Sequence, residues 1–577
     1  MQTALDITPD YLRVGFVEIP ETKLRSLLSD AQQSMSTLEA KMAPLVFQRT
    51  NVFNRIQELK RTIAPLIFAT FPSEVLVKVF EFCMDGPVHL NCKNPRPTTL
   101  NSLSAVCGRW RLLVLKSPVL WNKLRISFWD YTDAHSIIQA AHLCLARSES
   151  LPLSIDMRGF SQPHKYISQL TPVQEIIIPL ISRLCNLTLF LPFTWLKEFL
   201  SLPPGSLPML EAATIKILPE TDSKLHTIPS LKDIMNVFAG ASRLHRLTFR
   251  GSSPDVESYH SSGLSPPQGR ATFFDQCINI QLPWGQLTHF SLLDIPVNHR
   301  IFIDILNHTP NLVSLALTSF WSFERFDETQ LSPHAFNIKS LTLVLPKDIQ
   351  FSVGLAIVNM FPHLISLNMT MFADIACSPP VVHLVHLRSL TLKLPGCSTN
   401  DVRVAPFLLP SLQMLCVPAC GLLHGDSTEL TWPTEAYVAL MERSSCRLLE
   451  LSFIQRIKGS EAEQILESMP TLIALKMNFQ GCQGSSIIER LKAMELVPLL
   501  GRFAAMVQHT QLEAFVEMLL ARPKLLEAHL HYEERPGYLM ARKIRRRLVR
   551  LGAGNRIQIH FEERDHPSNS WWSEKDE

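Results

Sequence analysis

The sequence predicts an α+β fold, in which an N-terminal heptad helix and a small all-helical module precede a long array of strand and helix units. Three observations support this prediction. Apolar residues recur at heptad spacing in residues 23–64, two short helical runs follow in residues 65–127, and a six-residue leucine phrase recurs through residues 128–561. A chain of 577 residues is long enough for several domains or one long repeat array.

Composition argues against a disordered chain, a general nucleic-acid binder and a disulfide-stabilised protein. The chain is 46% hydrophobic and 19% charged, which is typical of a folded protein with large buried surfaces, and its net charge of +3 predicts no general affinity for nucleic acid. Twelve cysteines occur without a C-x-x-C pair. This pattern favours reduced thiols in an intracellular protein over a disulfide framework or a zinc site.

Targeting signals are absent from the sequence as given. No basic region followed by an apolar run occurs near the first residue, and Arg183 and Lys197-Glu198 interrupt the most apolar segment, residues 176–202. The remaining apolar stretch is shorter than the roughly 20 residues that span a bilayer. We therefore expect no membrane association and a cytoplasmic and/or nuclear location, with residues 1–22 flexible and residues 562–577 disordered.

Residues 23–64 follow a heptad pattern in which Arg49 is the one polar member. Pro44 interrupts it, so the pattern predicts either one long amphipathic helix or two helices bent at that proline. The seam either pairs with another chain as a coiled coil or folds back on its own protein. Its members are Leu24, Leu28, Ala31, Met35, Leu38, Met42, Leu45, Arg49, Val52, Ile56, Leu59 and Ile63.

Residues 65–127 contain two helical runs with more apolar surface than so small a module can bury. Pro72 stands at a position where a helix tolerates proline, and Ser73 or Glu74 opens the first helix. We expect the surplus surface to be a docking face. The apolar residues are Val75, Leu76, Val79, Phe80 and Phe82 in the first run, Leu103, Val106, Trp110, Leu113 and Val114 in the second, and Leu120-Trp121 after Pro118.

These residues resemble an F-box, the motif of about fifty residues by which substrate receptors bind the Skp-type adaptor of cullin-RING ubiquitin ligases. The opening Phe71-Pro72-Ser73-Glu74-Val75-Leu76 matches its "[L/F]-P-x-E-[V/I]-L" pattern, and "V-C-x-x-W" and "L-W" follow in order. The insert from Met84 to Thr99 is longer than in most F-boxes. A heptad helix directly before the motif is similar to many fungal F-box-like proteins. The other interpretation is an ordinary helical hairpin in a larger core.

The resemblance implies a substrate-recognition subunit of an SCF-type E3 ligase, which performs no chemistry and needs no cofactor or metal. Some F-box residues would face the adaptor and others would pack the module. The implied set is Phe71, Pro72, Leu76, Val79, Phe80, Val106, Cys107, Trp110 and Trp121. The alternative is a ligase-independent interaction scaffold that self-associates through the heptad helix.

The remainder of the chain repeats the phrase apolar-x-x-apolar-x-apolar twelve times. From Leu312 to Leu412 the phrases start 26, 26, 23 and 25 residues apart, within the roughly 20 to 29 residues expected of leucine-rich repeats. The usual terminal Asn or Cys is mostly missing, so we expect an irregular leucine-rich-repeat-like solenoid (horseshoe) with a parallel sheet. The phrases begin at Leu184, Leu210, Leu244, Leu287, Leu312, Ile338, Leu364, Leu387, Leu412, Leu448, Leu472 and Leu525.

A proline precedes half of these phrases by two residues, and we expect it to end one unit and start the next strand. These are Pro208, Pro310, Pro362, Pro410, Pro470 and Pro523. We expect the loops 251–270 and 421–434 to be mobile. In the last part of the chain, the sequence predicts a basic helix containing Arg542–Arg550, either a capping helix or a nuclear signal, and a final strand containing Ile557, Ile559 and Phe561.

Enzyme signatures are missing from the sequence, including the phosphate-binding, dinucleotide-binding, zinc-protease and nucleophile-elbow motifs. His383 and His386 lie in an apolar context, which favours packing positions over metal ligands. We therefore predict no catalytic residue and no resident metal or cofactor.

Overall fold

The chain forms two compact units, which are Met1–Cys83 and Met84–Glu577. Each unit is described by itself. The division falls inside the helical module that the sequence places at residues 65–127. The computed structural model describes residues 21–84, 86–91, 99–128, 134–159, 172–218, 236–251, 282–295, 297–318, 320–322, 337–345, 351–370, 381–393, 407–418, 434–480, 482, 486–532, 537–550 and 557–561. The flexible termini and most of both mobile loops that we expect from the sequence lie outside these residues.

The first unit contains two helices, α1 (Glu21–Thr70) and α2 (Ser73–Cys83). Of the two arrangements that Pro44 allows, the structure has one continuous helix. At 1.5 Å per residue, α1 is about 75 Å long. It also extends beyond the predicted range 23–64, because the lead-in to the helical module, residues 65–70, continues the same helix.

The second unit alternates short helices with strands. The helices after α2 are α3 (Thr99–Val106), α4 (Gly108–Lys116), α5 (Ala134–Arg147), α6 (Phe193–Leu200), α7 (His299–His308), α8 (Phe351–Asn359), α9 (Thr434–Ser444), α10 (Gly459–Glu467), α11 (Ile487–Lys492), α12 (Leu512–Leu520) and α13 (Gly537–Arg550). Short 3₁₀ turns lie at Pro118–Leu120, Ile178–Arg183, Asn236–Phe238, Trp284–Gln286 and His509–Gln511, and a π turn at Val173–Ile177.

Seventeen strands form one sheet. They are β1 (Val88–Asn91), β2 (Lys123–Ser127), β3 (Leu153–Arg158), β4 (Leu184–Pro192), β5 (Ala212–Leu218), β6 (Arg246–Arg250), β7 (His289–Leu293), β9 (Ser314–Leu317), β11 (Ser340–Val344), β12 (Ser366–Thr370), β14 (Ser389–Lys393), β16 (Met414–Val417), β17 (Glu450–Arg456), β18 (Ala474–Asn478), β19 (Arg502–Met506), β20 (Glu527–Tyr532) and β21 (Ile557–Phe561). Two small parallel pairs accompany it, β8 (Val297–Asn298) with β10 (Phe320–Ser322) and β13 (Val382–His383) with β15 (Phe407–Leu408).

Every pairing in the large sheet is parallel, and each strand pairs with the next one along the chain. All twelve leucine phrases lead into these strands, so the predicted parallel sheet is confirmed. The register aligns one buried residue per strand across the sheet. This ladder is Val88, Leu124, Ile155, Leu187, Ala213, Leu247, Phe290, Leu315, Leu341, Leu367, Leu390, Leu415, Leu451, Leu475, Phe503, Ala528 and Ile557.

The repeated proline has a defined position in the turn before each strand. In residues 309–312, the N–H of Leu312 donates to the carbonyl of Thr309 over 3.2 Å, so Pro310 is the second residue of a hydrogen-bonded turn. Its fixed φ suits that position. The same bond joins the first leucine of a phrase to the residue three before it at Leu210, Leu364, Leu412, Leu472 and Leu525, each with its proline in the same place.

The sheet begins earlier than the sequence indicates. Strand β1 lies in the insert between the two motif halves, and β2 follows Trp121, so the ladder starts inside residues 65–127 rather than at 128. Strands β3 and β19 were also missed. In β19 the inward residues are Phe503 and Ala505. The predicted last strand is present as β21, which pairs with β20.

Helix α13 carries the predicted basic cluster. Ile544 and Leu548 are buried one turn apart, while Arg542, Lys543 and Arg546 are exposed. Arg547 lies 2.6 Å from Glu517 of α12 and 3.9 Å from Glu513. The described cations of the cluster therefore lie on the solvent face of an amphipathic helix that packs on its apolar side. In the part of the chain that the structure describes, no helix combines the length and apolar character that a membrane span requires.

Candidate docking helices

Helix α2 begins directly after Pro72, whose carbonyl accepts the N–H of Leu76 over 3.1 Å. Because Pro72 stands before the first helical residue, its missing N–H removes no helical hydrogen bond. Leu76 and Phe80 lie one turn apart and are 1% and 0% exposed. These two residues form the packing side of α2.

A second apolar face on α2 is open to solvent. Val75, Val79 and Phe82 are spaced by four and three residues, which places them on one side of a helix. Val79 is 43% exposed and Phe82 is 95% exposed. Beside them an ion pair of 2.8 Å joins Lys78 and Glu81. The helix therefore buries one apolar face and leaves another exposed.

The second half of the motif is not one helix, as its periodicity suggests, but two. Cys107 has extended backbone angles, φ −159° and ψ 169°, and separates α3 from α4. Its sulfur accepts the backbone N–H of Trp110 over 3.5 Å, so Cys107 caps the start of α4. Gly108 follows as the first residue of α4. A single helix running through this position would place that glycine in its interior, at a cost of about 1 kcal/mol relative to alanine. The spacing V-C-x-x-W is thus that of a helix end, a cap and the third residue of the next helix.

Burial in α3 and α4 also divides into two classes. Leu103 and Val114 are buried, while Val106, at 59% exposed, and Cys107 lie on the surface. Trp110 is half-buried. Leu112 and Leu115 are exposed as well, although the sequence analysis did not single them out.

Trp121 is a structural anchor. Its indole N–H donates to the carbonyl of Val114 over 2.7 Å, and its ring is buried. The guanidinium of Arg147 lies 4.6 Å from the ring centroid, a cation–π contact with α5. Ser117 also donates to the carbonyl of Leu113 over 2.5 Å. These contacts fasten the end of α4 to the start of the sheet.

The structure therefore separates the predicted F-box residues, which the sequence could not do. Leu76, Phe80 and Trp121 are buried packing residues. The exposed members are Phe71, Pro72, Val79, Val106 and Cys107, and Trp110 is intermediate. Phe82 and Val75 complete the exposed face of α2 but were not in the predicted set. Their helical spacing from Val79 was the signal that could have found them.

Metal-binding geometry is absent from the described part of the chain, where no group of three or more His, Cys, Asp and Glu side chains could hold an ion. His383 and His386 are exposed, so their assignment to packing positions was wrong. Val382, Leu384 and Leu387 point inward instead, and the ring of His386 stacks 5.9 Å from that of His363.

Comparison with known proteins adds no family to this description. No family model matches the chain, and no curated protein matches its sequence significantly.

Proposed function

We propose that this protein is the substrate-recognition subunit of an SCF-type, cullin-RING ubiquitin ligase. Its F-box would bind the Skp-type adaptor through exposed apolar residues, and its strand array would hold a target protein. The proposal is based on the exposed apolar face that Val75, Val79 and Phe82 form on α2. Single exposed apolar residues are ordinary, but three on one face of a short helix favour a docking surface.

The ordered sheet supports a role in binding a target. Parallel strands that each pair with the next along the chain are the arrangement of a leucine-rich-repeat-like solenoid, in which every unit buries its apolar face against its neighbours. The curved horseshoe shape is part of this proposal. By holding adaptor and target together, such a receptor raises the effective concentration of a target lysine near the ubiquitin carrier, without chemistry of its own.

The test is a charge substitution on the open face. In the double variant Val79→Glu/Phe82→Glu, two exposed side chains change, so the fold should remain intact. Burying both side chains at an interface would contribute about 3 kcal/mol, so adaptor affinity should fall more than about a hundredfold. Co-expression with a Skp-type adaptor and affinity purification of the complex measures the effect.

The matched control is Phe47→Glu on α1, which changes an equally apolar side chain that is 67% exposed and lies outside the motif. It should recover as much adaptor as the unaltered chain. Leu76→Ala is a poor test, because that side chain is buried and its loss would disturb the helix itself. Equal adaptor recovery by the double variant and the control would count against the F-box assignment.

A second candidate function, the ligase-independent scaffold, is favoured by a different observation. The described seam residues of α1 are exposed, from Ile56 at 44% to Leu45 at 64%. A row of apolar residues at heptad spacing that nothing in the described chain covers is typical of a coiled-coil surface. The exposed apolar members are Leu28, Ala31, Met35, Leu38, Met42, Leu45, Val52, Ile56 and Leu59.

Light scattering on the purified chain separates the two candidates. If α1 self-associates, Leu38→Glu/Leu45→Glu should convert an oligomer into a monomer, because two charges would enter the seam. Thr37→Glu/Thr50→Glu, which changes exposed residues beside the seam, should leave the oligomer intact. A self-associating chain that recovers no adaptor supports the scaffold, and a monomer at every concentration argues against it.

A further inference from the structure

The outward face of strands β2 to β6 carries a concentration of positive charge. The register places Arg158, Phe190, Lys216 and Arg250 side by side on β3, β4, β5 and β6. Adjacent strands are about 4.8 Å apart, so this row is about 14 Å long. Arg125 lies on β2, opposite Asp156 in the pairing with β3. We call Arg125, Arg158, Phe190, Lys216 and Arg250 the basic strip.

Two carboxylates neutralise part of the strip. Asp156 accepts from Arg125 over 2.5 Å and from Arg158 over 2.9 and 3.0 Å, so two arginines share one carboxylate. Arg250 donates to Asp294 over 3.0 Å. Four cations against two carboxylates leave a net charge of +2 on the strip. Arg158 also lies 4.9 Å from the ring centroid of Phe190, which holds its guanidinium over an aromatic face.

Lys216 is the cation of the strip that has no hydrogen bond or ion pair with any residue the structure describes. Burial lowers the pKa of its ammonium group, and the nearby Arg250 lowers it further against a smaller opposing effect of Asp294. The pKa of His89 on β1 is lowered by burial and then by Arg125. Burial disfavours charge of either sign, so only the arginine contributions to these two shifts reflect the positive field of the strip, and it is that field that favours an anion.

We propose that the basic strip binds an extended, acidic segment of a partner protein. In an extended peptide, side chains on the same side repeat about every 6.8 Å, so carboxylates at alternate positions can meet cations along the row. Phe190, between Arg158 and Lys216, offers an apolar surface to a side chain among those carboxylates. The inference depends on the proposed function at one point, because it assumes that this acidic segment belongs to the target protein.

A nucleic acid is a poorer occupant for the same surface. Asp156 and Asp294 lie among the cations and would repel a continuous phosphate backbone, and the chain as a whole carries only +3. Proteins that bind nucleic acid nonspecifically rely on many uncompensated Lys and Arg contacts. An acidic peptide, with its charges spaced apart, can avoid the two carboxylates.

The experiment uses the purified full chain and a fluorescein-labelled peptide that alternates Glu with Ala around a central Leu. Fluorescence anisotropy should show saturable binding that weakens with added salt. Lys216→Glu should weaken it about tenfold, since it removes one charge-assisted contact and adds a repulsion. The matched control is Lys393→Glu, because Lys393 is a half-buried lysine at the end of β14 on the same sheet, outside the strip.

Three results would overturn the inference. They are no saturable binding of the acidic peptide, equal binding of a peptide with Gln in place of Glu, and tighter binding of a thymidine oligonucleotide that Lys216→Glu also abolishes. Unfolding temperatures of Lys216→Glu and Lys393→Glu equal to that of the unaltered chain exclude a folding defect. The Lys216→Glu chain should still bind the adaptor, and the Val79→Glu/Phe82→Glu chain should still bind the peptide. Failure of the adaptor proposal can therefore be distinguished from failure of the peptide proposal.

Discussion

Arg522 provides a quantitative prediction about what holds consecutive strands of the array together. Its side chain is 2% exposed and donates four hydrogen bonds to backbone carbonyls that precede β19. Leu491 accepts two of them, at 2.9 and 2.5 Å, and Val497 and Leu496 accept one each, at 2.7 Å. Burial lowers the pKa of Arg522 to about 10, so the group stays cationic at neutral pH.

The expected cost of Arg522→Met follows from these contacts. Each hydrogen bond from a charged donor stabilises the fold by about 1.5 to 3 kcal/mol, and burying the cation costs several kcal/mol in return. The carbonyls of Leu491 and Val497 also accept backbone N–H groups from Met494 and Leu500, so they keep a partner in the variant. Methionine fills part of the vacated space. We therefore expect a net loss of about 3 kcal/mol.

Hydrogen exchange followed by mass spectrometry can locate this loss. Because units of such an array contact mainly their neighbours, exchange should rise in β19 and β20 and remain unchanged in β4 to β7. Arg502→Met is the matched control, since Arg502 pairs with Glu450 on the exposed sheet face and should change stability by less than about 1 kcal/mol. Unchanged exchange in β19 and β20, or an equal rise in every strand, would refute the reasoning.

Two further predictions concern the helices and the thiols. Leu76→Ala should destabilise α2 by about 2 to 5 kcal/mol through the cavity it leaves, which local hydrogen exchange in α2 would measure; exchange equal to that of the unaltered chain would contradict the burial of Leu76. Burial raises the pKa of Cys144 to about 11 and that of Cys482 to about 12, whereas Cys83 and Cys107 are exposed. Maleimide at neutral pH should therefore label Cys83 and Cys107 before Cys144 and Cys482, and early labelling of Cys144 or Cys482 by peptide mapping would show that those sites open in solution.

The strand positions of the array were largely predictable from the sequence. A two-residue alternation after a leucine, with a proline two residues earlier, is a local signal that specifies both the inward face and the preceding turn. The pattern failed where no leucine opens the phrase, as at β1, and β19 was overlooked although Leu500, Phe503 and Ala505 fit the phrase. The same alternation also explains the error at His383, because that histidine lies between the buried residues Val382 and Leu384.

The docking helices were less predictable. Periodicity indicated a helix that opens at Ser73 or Glu74, but its apolar residues include both buried and exposed ones, so the pattern alone could not assign Leu76 inward and Phe82 outward. The break at Cys107 was missed because a sulfur that caps a helix leaves no signal in apolar spacing. Arg522 was missed for a related reason, since a buried arginine is recognised only when its carbonyl partners are known.

The most direct test of the central claim is the mass, by size-exclusion chromatography with light scattering, of the full chain mixed with a Skp-type adaptor. We expect a stable complex with one adaptor for each copy of the chain, formed equally by Phe47→Glu and lost in Val79→Glu/Phe82→Glu. An adaptor that elutes alone beside a folded chain would contradict it.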